Sequence, residues 1–94
     1  MDIGNTIKEI RKKKGLKQNE LAEKSQMTQA YLSKIENNSK EPTIGSLKSI
    51  AESLNVPLPI LFFHAMTVED VEPEKRDAFK IIIPSLKGMV ETFI

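Results

Sequence analysis

Ninety-four residues suffice for one hydrophobic core and are too few for two. The chain has no cysteine, which excludes disulfides, thiolate metal sites and cysteine nucleophiles. The net charge of +1 is unevenly divided: residues 1–40 hold nine Lys/Arg against five Asp/Glu (+4), and residues 41–94 hold five against eight (−3).

Met1 to Ile10 alternates charged and apolar residues, so no secretory leader is expected there. Ile3, Ile7 and Ile10 fall at i, i+4 and i+7 and predict a first helix. Asp2 is its expected cap and Gly15 its stop. The basic run Arg11 to Lys14 has two readings. It sits where a helix dipole favours cations, and it also suits a phosphate-facing surface, where neutralised phosphates release counterions.

A short second helix is expected from Gln18 to Ser25, burying Leu21 and Ala22, with a tight turn at Gln26 and Met27. A third helix follows from Thr28, a good cap residue, to about Asn37, burying Tyr31, Leu32 and Ile35. At about 100° per residue, Ala30, Ser33, Lys34 and Asn37 fall opposite Leu32, with Gln29 at the exposed amino-terminal end. Asn37 to Pro42 reads as a loop. Thr43 caps a fourth helix whose inward face is Ile44, Leu47, Ile50, Ala51 and Leu54, and Asn55 ends it. Pro57 or Pro59 opens a fifth, short helix through Leu61 and Phe63. The apolar stretch Val56 to Met66 is too short to cross a bilayer and contains two prolines, so a cytoplasmic protein without a membrane partner is expected.

His64 to Glu72 reads as an acidic connector. Beyond it Phe79, Ile82, Ile83, Leu86, Met89, Val90 and Phe93 form one broad apolar stripe. Pro84 interrupts the stripe and predicts a kink, or two helices meeting there. The stripe either completes the core or dimerises the chain. The second is favoured, because Ile81 and Ile94 add apolar surface that a monomer would find hard to bury. The expected division is a five-helix domain at 1–65 and an acidic linker with an apolar helical segment at 66–94.

Two short helices, a tight turn and a polar loop are the parts of a helix-turn-helix, whose second helix enters the major groove. Gln18 with Glu20-Leu21-Ala22, Tyr31-Leu32-Ser33 with Ile35-Glu36-Asn37, and Pro42-Thr43 with Leu47 and Ile50-Ala51 stand in one register. Together they resemble the phage repressor and Cro-like (XRE-type) helix-turn-helix family of transcriptional regulators, over about residues 3–63. The resemblance implies an all-α fold of five helices, here followed by a carboxy-terminal helical segment. It implies a sequence-specific double-stranded DNA-binding regulator, read here as a homodimeric repressor of a near-palindromic operator. Thr28, Gln29, Ala30, Ser33 and Lys34 would then read bases, Gln29 by pairing bidentately with adenine. Gln18, Tyr31, Asn38 and Lys40 would hold the DNA backbone, and Arg11 and Glu36 would form a structural ion pair.

The chain departs from the family at two places. Gln26 stands where the turn has glycine, at a strain of about 1 kcal/mol if left-handed. Lys17 replaces the usual Ser/Thr cap, a loss of about 1 kcal/mol. An enzyme is not expected, nor a cofactor or a metal. His64 is the one histidine, Glu69, Asp70, Glu72 and Glu74 lack the pattern of a calcium loop, and no nucleophile–base pair or phosphate loop can be placed. An alternative from another class is an antitoxin or partner-binding regulator, whose apolar stripe covers a toxin or anti-repressor. A restriction–modification controller lies between the two.

Overall fold

The computed structural model describes residues 1–94: six α-helices and no strand. They are α1 (Ile3–Lys13), α2 (Gln18–Lys24), α3 (Gln29–Glu36), α4 (Ile44–Leu54), α5 (Leu58–Ala65) and α6 (Arg76–Glu91), with single 3-10 turns at Val68–Asp70 and Pro73–Lys75. None of the helices is long and apolar enough to cross a membrane.

Short polar side chains start three of these helices. Asp2, Thr28 and Thr43 accept from the backbone N–H groups of Asn5, Tyr31 and Ser46 at 3.0, 3.1 and 3.0 Å, satisfying donors that the first helical turn leaves unpaired. Lys17 brings no side-chain oxygen to α2. Half of a capping box remains, Glu20 Oε1 accepting from the Lys17 N–H at 2.9 Å. Asn55 closes α4 in the left-handed region at φ 58°, which asparagine tolerates better than most residues.

The periodic residues converge on one core. Ile7, Ile10, Leu21, Leu32, Ile35, Ile50, Leu54 and Leu61 are all but fully buried, each contributing about 1.5–3 kcal/mol by leaving water. Helix α1 packs against α3 and α5, α2 against α3 and α4, and α6 against α5. At Gly4 the start of α1 lies against the end of α3. A Cβ there would fall under 3.0 Å from the carbonyl oxygens of Ile35 and Glu36 and from Asn38 Oδ1. Only glycine permits that approach.

The apolar stripe of α6 does not act as one surface. Phe79 and Val90 are buried within their own chain, at 7% and 3% exposure, and Ile83 and Leu86 are half-buried. Ile82, Met89 and Phe93 remain exposed. Helix α5 offers α6 an apolar surface close at hand, and Val90 joins the core, so the outward part of the stripe expected to dimerise is Ile82, Met89 and Phe93. Helix α6 also runs unbroken past Pro84. The connector is more ordered than a solvated linker, because Asp70 accepts from the Thr67 N–H at 2.8 Å and from the terminal amine of Met1 at 2.9 Å.

Candidate nucleic-acid interface

Helices α2 and α3 are joined by a turn in which Gln26 takes a left-handed conformation at φ 57°. The Met27 N–H donates to Ala22 O at 3.0 Å and Ser25 Oγ donates to Ser53 Oγ at 3.0 Å, fixing the turn against α4. The strain of a non-glycine residue is thus held in place by packing and hydrogen bonds on both sides.

Behind α3 lies a buried ion pair. Arg11 Nε and Nη2 donate to Glu36 Oε2 and Oε1 at 2.8 and 3.0 Å, and Arg11 Nη1 donates to Leu16 O at 2.9 Å. The two side chains are 9% and 3% exposed, so the parallel fork compensates their desolvation and leaves no buried polar atom unpaired. Gln18 Nε2 donates to the same carboxylate oxygen at 3.2 Å, and Gln18 Oε1 accepts from Gln29 Nε2 at 3.3 Å. A chain of hydrogen bonds therefore runs from the buried pair through Gln18 to the amide of Gln29, at the exposed start of α3. Gln29 keeps its amide oxygen and one N–H free along this route, the two groups a bidentate adenine contact needs.

The outward face of α3 is small and polar. Gln29, Ala30 and Lys34 are exposed and Ser33 is half-buried. Beside it Asn5, Lys8, Gln18, Ser33 and Asn37 line a polar groove of about 190 Å³ between α1, α2 and α3. Lys8 was not singled out in the sequence, because its place beside α3 depends on how α1 packs. On the other flank Thr28, Tyr31, Thr43, Ser46 and Ser49 line an open hollow of about 500 Å³. Thr43 and Ser46, three residues apart at a helix start, were the available sequence signal for that hydroxyl-rich wall.

Among the residues expected to hold a DNA backbone, Lys40 stays exposed, its Nζ 5.4 Å from the centre of the Tyr31 ring. Its position is set by the Ser39 and Lys40 N–H groups, which both donate to Lys34 O at 2.9 and 3.2 Å. The Tyr31 hydroxyl pairs with Ser46 Oγ at 3.2 Å. Asn38 is occupied within the fold. Its Oδ1 accepts from the Gly4 N–H at 3.2 Å, and its Nδ2 donates to Asp2 Oδ1 at 2.9 Å. That clamp holds Asn38 at φ 62°, tying the loop after α3 to the start of α1.

The helix-turn-helix family matches residues 7–61, the span of this arrangement. The immunity repressor protein of Bacillus phage phi105 is 30% identical over 74 residues, which is 79% of this chain and 51% of that protein. The chain thus spans about half the length of that relative. Among solved structures, a variant of the restriction–modification controller protein C.Esp1396I is 39% identical with a TM-score of 0.62, over 65% of this chain and 79% of that one. The clp gene regulator ClgR from Corynebacterium glutamicum is 25% identical with a TM-score of 0.69, over 89% of each chain. With the match covering more than half of its residues, on the helices that build the turn, this chain belongs to the helix-turn-helix family.

Proposed function

We propose that this chain is a transcriptional repressor that binds double-stranded DNA as a homodimer, placing α3 in the major groove of each half of a near-palindromic operator. The hydrogen-bond route from Glu36 through Gln18 to Gln29 carries the reading. It orients an amide at the amino-terminal turn of α3, the part of a recognition helix that reaches base edges. Thr28, Gln29, Ala30, Ser33 and Lys34 read bases in this proposal. Gln18, Tyr31 and Lys40 hold phosphates, joined by Lys8 from α1. Arg11 and Glu36 keep α1 and α3 in register. Residues 1–65 form the DNA-binding part, and residues 66–94 pack on it and present the surface used for pairing. The resemblance to a phage immunity repressor supports the sign of regulation.

Selection of bound duplexes from a random pool tests this reading. A near-palindrome with half-sites about one helical turn apart is the expected result. Gln29→Ala should then lose preference at one base position, a cost of about 1–3 kcal/mol. Lys40→Ala should weaken all sequences alike and lower the salt slope by about one. Recovery of no motif, with only salt-sensitive binding, would refute sequence reading by α3.

A further inference from the structure

Helix α6 has an outward arc with Ile82, Met89 and Phe93, and an inward arc that runs Phe79, Ile83, Leu86 and Val90. The inward arc is sealed at its two ends and open in its middle. Phe79 and Val90 are 7% and 3% exposed, whereas Ile83 and Leu86 between them are half-buried. With Phe63 and Met66, from the end of α5, these four residues line a cleft of about 430 Å³, a volume in the range of small-molecule sites. The cleft follows from a mismatch of lengths. Helix α5 has 8 residues and α6 has 16, so α5 cannot cover the whole inward arc. Helix α6 runs on to the end of α1, where Lys14 Nζ donates to Phe93 O at 3.1 Å.

The cleft also has a direction. Along α6 its apolar wall extends from Phe79 to Val90, about 16 Å of helix rise. At the Val90 end the lining includes Lys87 and Glu91 from α6 and Lys13 from α1, with Lys14 held close by on Phe93 O. Lys13 and Lys87 come from different helices, and neither stands in an ion pair. Three ammonium groups against one carboxylate make this end positive. His64, also in the lining, pairs with Glu9 through Nε2 at 3.0 Å.

A long apolar wall with cations at one end selects a straight apolar chain that carries one anionic head. A compact aromatic acid would cover only part of the wall, and a cationic amphiphile would be repelled by the lysines. A polypeptide segment would bring backbone N–H and C=O groups to a wall of hydrocarbon that cannot pair them. We propose that this cleft binds a straight-chain carboxylate, its tail along Leu86, Ile83 and Phe79 and its head between Lys13 and Lys87. A role for that ligand as an effector of DNA binding rests on the function proposed above. The cleft itself contains none of the residues assigned to DNA.

Decanoate below its micelle concentration is the probe, with decanol as the uncharged control. In methyl NMR spectra of the full chain without DNA, decanoate is expected to bind saturably and to shift Ile83 and Leu86 more than Ile81 and Ile82. Lys13→Gln combined with Lys87→Gln should weaken decanoate about fivefold and leave decanol unchanged. Ile83→Trp, which puts an indole into the cleft, should weaken both about tenfold with helical content unchanged. Binding that does not saturate, or shifts confined to Ile81 and Ile82, overturns the site. Decanoate affinity unchanged in the lysine variant, or reduced no more than that of decanol, overturns the carboxylate assignment. Saturable binding with no recovered DNA motif would sustain the site and sink its effector role. A recovered motif without decanoate binding would overturn the site and leave the operator reading standing.

Discussion

Helices α1 to α5 and helix α6 handle their apolar residues in opposite ways. In the first five, most periodic apolar positions are buried, although Ile44, expected on the inward face of α4, and Phe63 are exposed, and a buried Arg11–Glu36 fork braces two of the helices against each other. In α6 only Phe79 and Val90 are buried, while Ile81, Ile82 and Met89 face outward. Side-chain caps start α1, α3 and α4, and α2, α5 and α6 begin without one. A surface that one chain leaves apolar is suited to a partner, whereas elements braced by a buried pair are suited to holding geometry.

The largest expected effect tests the brace. Glu36→Ala leaves Arg11 buried without its partner and should cost about 3–5 kcal/mol in chemical denaturation. A loss below 1 kcal/mol would mean the pair is solvated and cannot orient Gln18. Next comes the division within α6. Phe79→Ala should cost about 3 kcal/mol, and Ile82→Ala, at low protein concentration, less than about 0.5 kcal/mol. Equal losses would erase the distinction between the two arcs.

Two helical glycines sharpen the contrast at smaller scale. Gly4→Ala drives a methyl into the carbonyls of Ile35 and Glu36, which are backbone and cannot swing away, and should cost about 2 kcal/mol. Gly88→Ala meets nothing within 4 Å and should stabilise α6 by about 0.5–1 kcal/mol. Thermal melts of the two variants should therefore move in opposite directions.

Acid gives the smallest effect, and it belongs to α1. The Asn38 amide holds the Asp2 carboxyl below its ordinary value, with help from the Asn5 N–H, and the hydrogen bond from His64 does the same for Glu9. Both folded values are depressed, so the unfolded chain binds more protons as pH falls through the carboxylate range. The stability these groups add is present above that range and is lost as pH drops through their lowered folded values. Asn38→Ala should reduce this acid sensitivity in urea titrations at a series of pH values. An unchanged profile would remove the Asp2–Asn38 clamp from the account.

Much of this was legible in the chain itself. Caps at Asp2, Thr28 and Thr43 and the inward series from Ile7 to Leu61 are local consequences of side-chain chemistry and helical spacing, whereas the left-handed turn at Gln26 was implied only by the family resemblance. Asn38 and Lys8 were not legible in their present roles. One is a clamp on Gly4 and Asp2 and the other a groove wall beside Ser33, and both depend on α1 lying across α3.

The sequence by itself determined that the chain is helical and where most of its helices begin, although not that α6 continues through Pro84. Those properties follow from interactions within a few residues. Only the tertiary structure decided which half of the α6 stripe is inward. Periodicity defines a face without naming its partner, and that choice depended on the apolar surface α5 leaves open to Phe79 and Val90. The same holds for Gln29: its exposure follows from spacing, but its orientation comes through Gln18 from Glu36, residues brought together only when three helices pack.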